Sequence, residues 1–207
     1  MPLFEPTGGS NTQVQFNDAG ALAGDAGLTY NKTTDALTIA GQLILSGAAA
    51  GQIVFPATQN ASTNANTLDD YEEGTWTPVI TFATPGDVSV TYSTQTGRYI
   101  KVGRIVQIWS QLTTSAFTHT TSSGALRVTG IPFGVDGAIN QTLAFIYSNF
   151  DLTAGYTQVV ACPEAANSHV IFWMEGDNVT KTQLSSGQHA SGTNVDVWFA
   201  GVYLPGS

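Results

Sequence analysis

An all-β fold is predicted for this 207-residue chain by three observations. Apolar residues recur at every second position in short runs, as along a strand with one buried face. Those runs are punctuated at close intervals by Gly, Asn, Asp and Ser, the residues that make turns. No stretch sustains the 3.6-residue period of an amphipathic helix. Within that class the chain reads as a short intertwined β shaft followed by a β-sandwich, jelly-roll-like head.

Residues 1–11 are a Pro-bearing, Gly-ended peptide without periodicity. Residues 12–66 form the shaft. Val14 and Phe16 alternate with glutamines, and Asp18-Ala19-Gly20 and Asp25-Ala26-Gly27 then break the chain. Leu28 and Tyr30, Leu37 and Ile39, Leu43 and Leu45, and Ile53 and Phe55 follow as further short strands. Large apolar residues make up only about a quarter of this segment. Ordering the backbone costs about 1–2 kcal/mol per residue, and a fully buried Leu or Phe returns about 1.5–3 kcal/mol. One copy alone balances poorly on those terms. Several copies, each turning its apolar edge to a shared axis, solve the problem, and the expected assembly is a homotrimer.

Residues 67–77 form an acidic neck, in which Asp69, Asp70, Glu72 and Glu73 precede Gly74. One helical turn is expected, capped by Asn66 or Thr67. Its acids would face the positive end of the helix dipole, and Gly74 would stop it. Tyr71 and Trp76 are the neck's aromatic residues, with Trp76 placed to pack beneath the first strand of the head.

Residues 78–207 form the head, where large apolar residues rise to about a third, enough for an independent core. Strands are expected at 79–82, 88–92, 98–102, 104–112, 126–128, 142–150, 156–161, 169–174, 179–184 and 195–204. Val102-Gly103-Arg104 reads as a tight hairpin corner. Glu175-Gly176-Asp177-Asn178 reads as a turn.

Composition narrows the function. Charged residues are 10% of the chain, against about 25% in ordinary globular domains. The net charge is −9, and the six basic residues are scattered. A nucleic-acid partner needs clustered Lys and Arg to displace counterions, and an anionic membrane surface needs the same. No apolar run approaches the roughly 18 residues of a membrane span. The first ten residues lack the basic and apolar regions of a signal peptide. The single cysteine, Cys162, excludes an internal disulfide and reads as a small buried hydrophobe.

Three phrases carry a resemblance. LDDYEEGTWTP in the neck, GRYIKVG (97–103) and VTGIPF (128–133) together resemble the C-terminal region of tailed-bacteriophage fibre and appendage proteins. GGSNTQVQFNDAGALAGDAGLTYNKTTDALTI resembles the shaft segments that precede it in such proteins. The chain departs from the family at Ile100, where Thr is usual. The resemblance implies a structural fibre of the virion, made in the host cytoplasm and exposed on the particle. Residues 1–11 would dock on other virion proteins, and the head would face outward to contact the host surface. The alternatives are a capsid-mounted head fibre or decoration protein, and a polysaccharide-degrading spike domain.

None of the phrases is a catalytic signature. His119, His169 and His189 show no HxH or HxxxH spacing, so neither metal nor cofactor is expected. A glycosidase needs two acids flanking a cleft. The acids of the head are few: Asp87, Asp136, Asp151, Glu164, Glu175, Asp177 and Asp196. The expectation is a protein that is not an enzyme. Tryptophans are the sharper lead. Gln107, Trp109 and Gln111 alternate with Val106, Ile108 and Leu112, Trp173 alternates with Val170, Phe172 and Met174, and Trp198 alternates with Val197 and Phe199. Each tryptophan thus lies opposite an apolar core stripe. Gln107, Trp109, Gln111, Trp173 and Trp198 are the candidate contacts, either between copies of the chain or with a host-surface glycan, the alternative being ordinary core beneath loops.

Overall fold

A computed structural model of the chain describes residues 10–45, 53–55, 67–68 and 70–206. Residues 1–9 of the expected anchor, 46–52 and 56–66 of the expected shaft, with the expected cap Asn66, and Asp69 of the expected neck lie outside the described residues. The chain divides into two compact units, Met1–Val54 and Phe55–Ser207.

The first unit is an antiparallel sheet of β1 (Gln13–Asp18), β2 (Ala21–Asn31) and β3 (Ala36–Ile39), in that order. The Asn17 carboxamide oxygen accepts from Gly20 N–H at 2.9 Å and closes the first turn. The expected break at Asp25-Ala26-Gly27 is corrected, because β2 runs through it. Asp25 Oδ1 accepts from Gly27 N–H at 2.6 Å, and the register shift between Gln13 and Gln15 absorbs the extra residues. The expected strands at 43–45 and 53–55 are absent from those described residues. Leu28 pairs with Ile39 and Tyr30 with Leu37, so all four share one face. Among the described residues nothing buries that face: Leu28 is half-buried, and Leu37 is 58% exposed. No described residue of the unit is buried.

The second unit holds β4 (Tyr71–Trp76), β5 (Val79–Thr84), β6 (Ser89–Val102), β7 (Ile105–Thr118), β8 (Ser123–Thr129), β9 (Ala144–Tyr147), β10 (Gln158–Pro163), β11 (His169–Glu175), β12 (Thr182–Gln183) and β13 (Asp196–Tyr203). One five-stranded sheet runs β4-β6-β7-β13-β9. The other runs β10-β11-β8-β5, with β12 added to β11. No α-helix occurs among the described residues, and a single 3-10 turn spans Ser186–Gln188. The fold is all-β, as the periodicity predicts.

The two sheets close face to face over a common core. Ile80, Phe82, Leu126 and Val128 come from one, and Val106, Ile108, Leu112 and Val197 from the other. Rings cross between them: Phe82 on Phe117 at 5.8 Å, and Phe172 on Phe199 at 6.4 Å between centroids. The expected strands 88–92 and 98–102 are one strand, β6. Irregular register near Tyr92 takes up the polar residues between them, and Ser93 Oγ donates to the Thr113 carbonyl at 3.1 Å. The 102–104 corner stands as expected, with Val102 paired to Ile105 and Gly103 at φ +54°, a value that glycine adopts freely.

The neck is the main correction. In place of a helical turn, 71–76 is a strand, β4, paired along its whole length with Gly97–Val102 of β6. The acidic phrase is therefore a sheet edge of the second unit. Strand pairing satisfies the backbone groups that a cap would have served.

Candidate functional site

The neck, GRYIKVG and VTGIPF phrases of the resemblance meet in space. β4 is YEEGTW and its partner segment of β6 is GRYIKV, in antiparallel register. Gly74 lies opposite Tyr99, and a Cβ there would sit 2.8 Å from the Tyr99 ring. Gly97 lies opposite Trp76, and a Cβ there would sit 2.6 Å from the Trp76 carbonyl oxygen. Each strand thus supplies a gap for the other's aromatic ring. Trp76 is buried, contacts Phe199 at 6.2 Å, and donates from Nε1 to the Arg98 carbonyl at 3.2 Å. Phe133, from VTGIPF, packs edge-on to Tyr99 at 5.5 Å. The Lys101 ammonium lies 5.2 Å from the Phe133 ring centroid and forms an ion pair with Asp70; both residues are buried. The Glu72 carboxylate accepts from the Tyr99 hydroxyl, which pushes that phenol up to about 12.

The pairing of β4 with β6 fixes what the opposite side of this sheet presents. Alternation sends Glu72, Gly74 and Trp76 inward, and Tyr71, Glu73 and Thr75 outward. Carried across the sheet by register, the outer face continues with Arg98, Ile100 and Val102, then Ile105, Gln107, Trp109 and Gln111. Trp198, Ala200 and Val202 follow, and Ala144 and Ile146 complete it at the β9 edge. Trp109 opposes Ala200, and Trp198 stands between Gln111 and Ile146. The two tryptophans are diagonal neighbours, 37% and 38% exposed. The Trp198 indole N–H donates to Thr113 Oγ1 at 3.3 Å, and that hydroxyl donates to Asp196 at 2.8 Å. Asp196 also accepts from Ser148 Oγ at 3.0 Å, which explains an acid inside a valine-rich strand. Between the tryptophans, Arg98 and Ile146 the face forms an open groove of about 1030 Å³.

Of the sequence candidates, Gln107, Trp109, Gln111 and Trp198 share this face, while Trp173 does not. It stands on β11 in the other sheet, with Lys181 Nζ 4.7 Å from its ring centroid, beside a hollow of about 380 Å³. Tyr71 joins the outer face, whereas Asp70 and Trp76 are structural.

Sequence reasoning missed a second cluster. His119 and His189, 70 residues apart, meet with Nε2···Nδ1 at 2.9 Å, both buried. His189 Nε2 lies 2.8 Å from the Thr193 carbonyl, which only accepts, so that nitrogen carries the proton. Neutral His189 then offers a bare Nδ1, and His119 Nε2 donates to it. Phe117 stacks on His189 at 4.2 Å, with Phe82 and Phe150 around the pair. Burial pushes the His189 imidazole below its ordinary value, the neighbouring His119 lowers it further, and the Thr193 carbonyl opposes the change.

Several acids of the head are committed to local partners. Asp87 accepts from the hydroxyls and backbone N–H groups of Thr120 and Thr121, which hold its carboxyl far below the usual range. Glu164 pairs with His169, and Asp136 with Arg104. Among the described residues no group of three or more His, Cys, Asp or Glu converges on a point. The half-buried Cys162 thiol is pushed up by burial. No described helix is long and apolar enough to cross a membrane.

No family model matches the chain, and no curated protein is similar to it. Among solved structures, the Dettilon tailspike protein resembles it with a TM-score of 0.46 and 17% sequence identity, over 64% of this chain and 24% of that one. The chain therefore spans about a quarter of that structure's length.

Proposed function

We propose that the chain is a structural, non-catalytic fibre protein of a tailed bacteriophage, working as a homotrimer on the virion surface. The observation that carries the oligomer is the first unit. Its three strands place Leu28, Tyr30, Leu37 and Ile39 on one face, where none of them is buried by the described residues of the unit. A sheet of this size without a buried residue does not offset the entropy of ordering its backbone. Further copies of the same chain supply the missing cover. The place on a virion rests on the resemblance of the neck, GRYIKVG and VTGIPF phrases, which the fold brings together as one packed unit.

On this reading residues 1–11 hold the protein to other virion proteins and the head points away from the particle. Contact with the host surface then works by multivalency. Several weak contacts on one fibre, and several fibres on one particle, raise the effective affinity without a strong single site. Gold-labelled antibody raised against residues 78–207, applied to intact particles of the encoding virus, should decorate a projecting appendage in electron micrographs. Decoration of the capsid shell would assign it to head fibres. Particles that carry none of the protein would refute a virion role.

A further inference from the structure

Seven of the eleven exposed large apolar side chains described in the second unit stand on one face, the outer side of β4-β6-β7-β13-β9. They are Tyr71, Val102, Ile105, Trp109, Ile146, Trp198 and Val202. Such a concentration is not the ordinary scatter of apolar residues over a surface. We propose that this face is the contact between copies of the chain in the head, so that its occupant is a second copy. The proposal rests on the homo-oligomeric reading above and adds the surface through which the heads meet.

Charge favours that occupant. The chain carries −9, and two copies repel wherever their acidic surfaces approach. Apart from Asp196, which Thr113 and Ser148 hold, this face carries only Arg98 and Glu73, one of each sign. Two acidic molecules can therefore meet here at little electrostatic cost. Size agrees as well. Five strands at about 4.8 Å spacing and some nine residues at about 3.4 Å span roughly 700 Å², close to the roughly 800 Å² per partner of a stable interface.

The chemistry of the face argues against a sugar as the main occupant. Tryptophan and glutamine suit a glycan, but Val102, Ile105, Ile146 and Val202 offer no hydrogen bonds and occupy much of the area. Tryptophan, tyrosine and arginine without lysine are the side chains that protein interfaces enrich. Trp198, its N–H already bonded within its own sheet, presents an anchor whose polar atom needs nothing from a partner.

The test labels a thiol in the full chain. Cys162→Ala removes the native thiol, and Ile146→Cys then places one at an exposed position, 63% accessible, on the edge strand of the face. Val79→Cys, exposed on the outer side of the other sheet, is the control. Light scattering reports the mass of each variant, and maleimide the thiol rate. The proposal predicts an oligomer in which the thiol at 146 reacts at least ~10-fold more slowly than that at 79, with equal rates in urea. Equal rates in a native oligomer would overturn the proposal and leave the shared shaft standing. Equal rates joined to loss of adhesion to host cells on labelling would overturn it in favour of a receptor site. A monomeric mass would remove both the interface and the oligomeric reading beneath it.

Discussion

Adding one methyl group at Gly97 should cost more while the Trp76 ring faces it than after that ring is removed. The Cβ of an alanine there would lie 2.6 Å from the Trp76 carbonyl oxygen and 2.7 Å from ring atoms Cδ2 and Cε2. Real Cβ contacts are not that short, so β4 must move off β6 or the ring must leave its place. Such overpacking costs about 1–3 kcal/mol. Trp76→Ala removes a side chain only 8% exposed, its contact with Phe199 and its hydrogen bond to Arg98. That loss is about 3–5 kcal/mol, a fall in Tm of about 6–20 °C for a chain of this length. The two costs should not add. With the ring gone, two of the three close atoms disappear and only the carbonyl oxygen remains. Gly97→Ala should therefore cost about 1 kcal/mol less in the Trp76→Ala background than in the native chain. Thermal unfolding of the four proteins, followed by near-ultraviolet circular dichroism, closes the cycle. Costs that add within about 0.5 kcal/mol would show that the ring does not lie against Gly97, and the packing of the neck phrase would need another account.

Two further outcomes follow from the same region and from the histidine pair. Lys101→Met leaves Asp70 buried without its counter-charge and should cost about 3–5 kcal/mol in urea unfolding; Asp70→Asn added to it should recover a large part, and an unchanged midpoint in the single variant would show the pair to be solvated. For pH, His189 has a folded-state value below its ordinary 6.5, so the unfolded chain binds the extra proton first. Stability is thus full above about pH 6.5, falls as pH drops below it, and levels once the folded-state value is passed. His169, depressed mainly by burial, adds a component of the same sign. His189→Phe should flatten the fall in Tm between pH 7 and 5, and a variant with an unaltered slope would show that this imidazole does not titrate differently on folding.

How much of this was legible depended on which force set each element. The strands of the head follow period-2 alternation, and burial of Val106, Ile108 and Leu112 opposite Trp109 could be read from spacing alone. β4 could not be read that way, because YEEGTW has one buried large side chain and three polar residues, and its acids look like helix-terminal ones. Its strand state comes from a partner segment, Gly97–Val102, that begins only 21 residues after Trp76. A signal was present even so: laid antiparallel, each six-residue phrase places a glycine opposite an aromatic of the other. The DAG segment at 25–27 misled for a related reason, since turn residues inside a ladder can be absorbed as a bulge. The His119–His189 pair was hidden because its members lie 70 residues apart, and the role of Asp196 because its partners Thr113 and Ser148 lie 83 and 48 residues away. Of the candidate contacts, the Trp109–Trp198 neighbourhood was legible by face, but Arg98, Ile146 and Val202 join it through register, which spacing within one strand does not reveal.

The central claim is that one copy of this chain is not the working unit, and its mass in solution tests that most directly. Light scattering on the purified full chain at micromolar concentration should report about three times 21.7 kDa. The exposed Leu28–Tyr30–Leu37–Ile39 face is then covered by its neighbours. A stable, monodisperse species of 21.7 kDa would contradict the claim, since that face would be shown to persist uncovered in water.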